Sequence, residues 1–168
     1  MPLPEHLLEQ AHHLANREPK RPRQASLRRA ISTSYYALFH LLVSEATLNW
    51  KRVDQRPLLA RFFEHGKMKN ASDKQRGECG RYITGPPVPA PGPDLDCMNH
   101  LQVVSLSFSQ AQQARHTADY DNSKQWTCTE ATAIIDQVGG AFTSWKAIRN
   151  HKFAQVYLIS LLGSPKGT

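Results

Sequence analysis

Residues 28–45, RRAISTSYYALFHLLVSE, constrain the fold of this chain more than any other stretch. Leu27, Ile31, Tyr35, Leu38 and Leu42 recur every three or four residues, the spacing of one buried face of an α-helix. Beside that stripe lies a second set at helical spacing: Arg29, Ser32, Tyr36 and His40. An exposed helix face normally carries Lys and Glu. A guanidinium, a hydroxyl, a phenol and an imidazole instead suit a polar network between helices, or a ligand site.

The same period recurs along most of the chain. Residues 4–16 place Leu7, Leu8, Ala11 and Leu14 in register before Pro19 and Pro22 break the helix. Ser26 is the expected N-cap of the second helix, which should run to about Asn49. Residues 56–65 read as a third helix, with Leu58, Leu59, Phe62 and Phe63 apolar, and residues 67–81 as a weaker, polar one. Thr84 to Asp94, TGPPVPAPGPD, holds five prolines and two glycines and is expected to be a loop or linker. Asp94 or Asp96 should cap a long helix to about Asp119, with Leu101, Val104, Phe108 and Ala111 inward. Residues 120–123 form a turn. Ser123 or Thr127 then opens another long helix, striped by Trp126, Ile134, Ile135, Val138, Phe142, Trp145 and Ile148. Gly139 and Gly140 within it are expected to permit close helix contact. A last apolar segment, 151–162, is expected to dock on the rest. No strand alternation is sustained, so the expected fold is all-α, an antiparallel helical bundle of about five to seven helices in a single domain over residues 1–168. A basic connector at 17–25 and the Pro-rich loop at 84–94 interrupt it.

Charge and the reactive residue types narrow the functions. The formal net charge is +7, and six of the basic residues fall in 17–29, REPKRPRQASLRR, against one acid. That balance favours an acidic partner: RNA, a nucleotide or an acidic protein. No window approaches the ~18 apolar residues of a membrane span, and the N-terminus lacks the pattern of a signal peptide. The expectation is a cytoplasmic protein with no membrane contact. Cys79, Cys97 and Cys128 are odd in number and form no CxxC pair, and the eight histidines show no ligand spacing, so neither disulfide, metal nor other cofactor is expected. There is no G-x-S-x-G, no G-x-x-x-x-G-K and no H-E-x-x-H.

Two separated motifs carry a resemblance. The first is RRAISTSYYALFH at 28–40, with Ser32, Tyr35, Tyr36, Ala37, Phe39 and His40. The second is ARHTADYD at 114–121, with Arg115, Ala118, Asp119 and Tyr120. Together they resemble the paired Ser-x-x-Tyr-Tyr-Ala-x-Phe-His and Arg-x-x-Ala-Asp-Tyr signatures of bacterial and archaeal HEPN-superfamily proteins. The intervening ARFFEHGKM at 60–68 resembles the segment between them in that family. The resemblance implies an all-α bundle that often dimerises and has roles in RNA cleavage, RNA or nucleotide binding, and defence or toxin–antitoxin systems. It also implies that the two signature helices pack together. Arg115 and Asp119, four apart on one face, would then reach Arg29, Ser32, Tyr36 or His40 as an internal polar clasp or a pocket for a nucleotide or phosphate.

Catalytic family members carry an arginine and a histidine separated by four to six residues. This chain departs from that pattern: Arg61 and His65 have three residues between them, Arg149 and His151 one, and Arg115 and His116 none. The departure argues against nuclease activity. Read as chemistry, Arg61 and His65 at i and i+4 would share a helix face, the guanidinium holding a phosphate while the imidazole acts as general acid or base. The reading preferred over that one is an ordinary exposed i, i+4 pair at a helix end, where Gly66 supplies the C-cap and His65 meets the helix dipole. The leading expectation is a non-catalytic or weakly catalytic HEPN-like protein that binds RNA or a nucleotide, or serves as a dimeric interaction module in a defence or toxin–antitoxin setting. Metal-independent RNA cleavage by Arg61 and His65 comes second, and a structural subunit for an acidic protein third.

Overall fold

The computed structural model describes residues 1–167. Seven helices and no strand occur among them: α1 Leu3–Ala15, α2 Gln24–Thr47, α3 Arg56–Ala60, α4 His65–Thr84, α5 Pro93–Tyr120, α6 Cys128–Ile148 and α7 Lys152–Ser160, with a 3₁₀ turn at Val53–Gln55 before α3. Cross-helix contacts fix the directions. Arg28 reaches Ala118, His100 meets Ser144, Cys79 meets Met98 and Glu5 meets Lys146, so α5 runs antiparallel to α2, α4 and α6, and α1 antiparallel to α6. The all-α antiparallel bundle anticipated from periodicity is therefore the fold. Among the described residues no helix is long and apolar enough to cross a membrane.

Burial explains why these segments are helices. The α2 stripe Leu27, Ile31, Tyr35, Leu38 and Leu42 is fully buried, as are Leu101, Val104 and Phe108 of α5 and Ile135, Val138 and Trp145 of α6. Each buried aromatic or aliphatic side chain contributes about 1.5–3 kcal/mol of apolar transfer, so the stripe supplies the packing that isolated helices lack. Glu45 on α2 and Arg149 after α6 form a bidentate pair that ties the far ends of these two helices together. Ser72 and Tyr157 share a buried 2.7 Å hydrogen bond that seats α7 on α4.

Local signals at the helix ends succeed and fail in instructive ways. Thr127 is the N-cap of α6 and forms a capping box with Glu130: Oγ1 accepts from the Glu130 amide at 3.1 Å while the Thr127 amide donates to Oε2 at 2.9 Å. Ser26, expected as the cap of α2, lies inside that helix; Arg23 is the N-cap and the Ser26 hydroxyl donates to Glu18 Oε1 at 3.1 Å. Neither Asp94 nor Asp96 caps α5, which begins at Pro93 after Gly92; both acids instead sit in its first turn, where they complement the dipole.

The largest departure concerns residues 56–65. They do not form one helix. α3 stops at Ala60, Arg61 is its C-cap, Phe63 turns into the core, Glu64 is extended at φ −115°, ψ 134°, and His65 opens α4. His65 thus sits at a helix N-terminus, and Gly66 is inside α4 rather than capping anything.

The glycine pair also differs from expectation. A Cβ at Gly139 or Gly140 meets no atom within 4 Å, and Gly140 is exposed, so neither mediates close helix contact. Gly140→Ala is therefore expected to stabilise the protein by about 0.5–1 kcal/mol, because helix-interior glycine carries that conformational penalty. A rise in the urea midpoint with an unchanged m-value checks it; a fall would show a contact at this position.

Candidate functional site

Antiparallel packing of α2 on α5 brings both halves of the polar pattern together. Ser32 lies opposite Asp119, with its hydroxyl 3.5 Å from Oδ2, and Arg115 Nη1 stands 3.5 Å from the same oxygen. These long contacts hold the carboxylate loosely. The Arg115 guanidinium is largely covered, packed over the Tyr35 ring at 5.2 Å and the Tyr36 ring at 5.7 Å, in cation–π geometry. Its Nε is buried with no hydrogen-bond partner among the described residues.

A shallow groove opens on the outer side of this contact. Arg28, Arg29, Ser32 and Tyr36 of α2 and Ala118, Asp119 and Tyr120 of α5 line it. Tyr120 is 68% exposed and Tyr36 is half-buried, with Arg115 already over its ring, so two phenols border the groove. Arg29 is exposed and makes no ion pair with a described residue. The floor is rigid for a different reason. Arg28 donates from Nη1 to the carbonyls of Ala118 and Asp121, both at 2.8 Å, and from Nη2 to Lys124 O, satisfying orphan carbonyls at the end of α5. Gln24 adds a two-way clasp to the Trp126 backbone at 2.8 and 2.9 Å.

Behind Tyr36, Tyr35 and His65 form the second part of the site. The Tyr35 hydroxyl lies 2.5 Å from His65 Nδ1, and the His65 ring packs on Phe39 with centroids 4.4 Å apart. Burial pushes the Tyr35 phenol far above its ordinary value, so the hydroxyl stays protonated and donates. Nδ1 is then the acceptor and Nε2 carries the hydrogen of a neutral imidazole. Burial first, then the Arg115 and His40 charges, hold the His65 pKa below 6.5. His40 is lowered as well, by burial.

The sign for stability follows from this. With its folded-state pKa below the unfolded value, His65 binds fewer protons when native, and its contribution is present above about pH 6.5 and lost as pH falls through the lower native pKa. His40 acts in the same direction. Arg115→Leu is expected to move the His65 titration upward, though only partly, since burial is the larger cause; NMR of the imidazole signals reads the change, and an unmoved titration would separate Arg115 from His65.

Of the residues singled out by sequence, Arg29, Ser32, Tyr36 and Asp119 share the groove and Arg115 underlies it. His40 does not join them: it borders a separate apolar cleft with Leu3, Val43 and Pro57, one helical turn beyond Tyr36. Arg61 is exposed on the α3 cap and, because the chain turns between them, shares no helix face with His65. The Tyr35–His65 bond and the Arg28 clamp were not foreseen, and neither has a local sequence signal. Burial raises the Cys79 thiol and pushes Cys97 up to about 11, which leaves both thiols protonated and unsuited to nucleophilic work. Among the described residues no cluster of three or more His, Cys, Asp or Glu is placed to hold a metal ion.

Comparison with protein-family models, with curated proteins and with solved structures finds no match to this chain.

Proposed function

We propose that this chain is a HEPN-like helical protein that binds RNA or a nucleotide without cleaving it, acting as a dimeric module in a defence or toxin–antitoxin setting. One observation carries the binding reading: an unpaired arginine, Arg29, stands beside two phenols, the half-buried Tyr36 and the exposed Tyr120, on one groove. Single-stranded nucleic acids are held by that combination, phosphate on a cation and bases stacked on aromatic rings. The basic 17–29 segment ends in Arg28 and Arg29, which line the groove, and adds positive charge next to them in sequence. Asp119 offers acceptor oxygens to a base edge or a ribose hydroxyl.

The state of His65 supports binding over cleavage. A general base needs a free lone pair near neutrality, and the Nδ1 lone pair is engaged by Tyr35 while Nε2 carries a proton. Arg61, its intended phosphate-binding partner, stands on another element. The cleavage reading draws its remaining support from Arg115, whose charge reaches His65 from α5.

Fluorescently labelled single-stranded RNA, incubated with EDTA and read for both retention and integrity, tests the proposal. Saturable binding of intact RNA that weakens steeply with salt is the expected result. Scission that survives EDTA and disappears in His65→Ala would replace it with the ribonuclease reading. Absence of both would favour an acidic protein as partner.

A further inference from the structure

α7 is apolar on both sides. Ala154, Tyr157, Leu158 and Leu161 pack into the core, yet Val156 and Ile159 remain 61% and 69% exposed. The neighbouring chain leaves more apolar surface uncovered: Leu48 at 57%, Trp50 at 48%, Val53 at 66% and Leu58 at 59%. One side-chain bond joins the two segments, and two more hold the loop after α2 together. Asn49 Nδ2 donates to Gln155 Oε1 at 2.8 Å, and Arg56 donates to the carbonyls of Trp50 and Leu48 at 2.9 and 3.1 Å. Single exposed apolar residues need no explanation, but six on two segments joined in this way point to an interaction site.

The charged residues around them are mostly cations. Lys51, Arg52, Arg56, Arg61 and Lys152 belong to these segments, against Asp54, which pairs with Arg52 at 3.4 Å, and Glu64, which pairs with Lys67 at 2.8 Å. Lys51, Arg61 and Lys152 are exposed and make no ion pair with a described residue. A second copy of the chain fits poorly, because a two-fold contact would set these cations against themselves. A peptide helix is recognised by a groove into which its anchors fit. Here Val53 alone of the six borders the cleft with Leu3, Val43 and Pro57, and five of the six are more than half exposed.

We propose, against the sequence expectation of no membrane contact, that this face docks on an anionic lipid surface. Leu48, Val156 and Ile159 enter the headgroup boundary, Trp50 sits at its level, and the lysines and arginines face the phosphates, the arrangement used by helices that lie on a membrane without crossing it. The face is separate from the nucleic-acid groove, so the two readings stand or fall independently.

Tryptophan fluorescence tests this directly. Of the three tryptophans, Trp126 is 9% exposed and Trp145 is fully buried, which leaves Trp50 as the solvent-accessible reporter. Vesicles of phosphatidylcholine and phosphatidylglycerol are expected to shift its emission to the blue and protect it from acrylamide, while pure phosphatidylcholine vesicles leave both unchanged. Lys51→Glu with Lys152→Glu should reduce partitioning at least about tenfold, and Val156→Ser with Ile159→Ser, both at exposed positions, should abolish the shift without altering the unfolding midpoint. No shift with anionic vesicles overturns the proposal and points to an acidic protein on this face. Co-sedimentation with Trp50 still quenchable, or equal binding to neutral vesicles, overturns it too.

Discussion

Arg28→Ala is expected to destabilise the protein by about 2–4 kcal/mol, a large effect for a residue that is not in the core. Its guanidinium satisfies three carbonyls, those of Ala118, Asp121 and Lys124, and so closes the C-terminus of α5 and fixes the turn that leads to α6. Hydrogen bonds from charged donors contribute about 1.5–3 kcal/mol each, and water reaching the vacated, partly open carbonyls recovers part of that sum. Arg28→Lys should rescue only a fraction, since one ammonium cannot span three acceptors in the planar geometry of a guanidinium. Urea unfolding measures the loss as a lower midpoint. A change below about 0.5 kcal/mol, the range of ordinary surface substitutions, would mean that the clamp is decorative.

The second large effect falls on binding. Tyr36→Ala is expected to weaken single-stranded RNA binding by about 1–3 kcal/mol, roughly five- to 150-fold, the cost of removing one base-stacking ring. Tyr36→Phe should bind nearly as the parent does, because stacking uses the ring face and not the hydroxyl. Arg29→Ala is expected to act differently. It removes a phosphate contact, so affinity falls for all sequences alike and the slope of log affinity against log salt drops by about 0.7 for a single strand. Anisotropy titrations at several salt concentrations separate the two roles. If Tyr36→Phe lost as much as Tyr36→Ala, the phenol hydroxyl and not the ring face would be the binding group.

The buried half of the architecture was legible because it is periodic. Leu27, Ile31, Tyr35, Leu38 and Leu42 announce their face by spacing alone, and all are fully buried. The Thr127–Glu130 capping box was half legible for a related reason: the Thr127 cap was anticipated as one of two, and both partners are four residues of local sequence. The break between α3 and α4 was not. Leu58, Leu59, Phe62 and Phe63 continue the helical period across the gap, and no glycine or proline interrupts it. Tertiary packing decides there: Phe63 is drawn into the core while Leu58 and Phe62 stay exposed, a choice that no local propensity records.

The site divides along the same line. Ser32, Tyr36, Arg115 and Asp119 could be placed together only through the resemblance, which implied that the two signature helices pack on each other. Their exposure could not, and it is the 68% exposed Tyr120 that turns a polar contact into a groove with an aromatic rim. His65 shows the cost of a wrong boundary. Assigned to the end of one helix beside Arg61, as an exposed pair or, second, a proton-transfer group, it instead starts the next and is held as a neutral imidazole accepting a hydrogen bond from Tyr35.

The measurement closest to the central claim is a backbone amide NMR titration of the intact protein with a short single-stranded RNA. The account predicts that the perturbed amides concentrate at Arg29, Ser32, Tyr36, Asp119 and Tyr120, with a weaker trail through residues 17–23. No perturbation at saturating RNA, or one confined to a surface away from the α2–α5 groove, would contradict it.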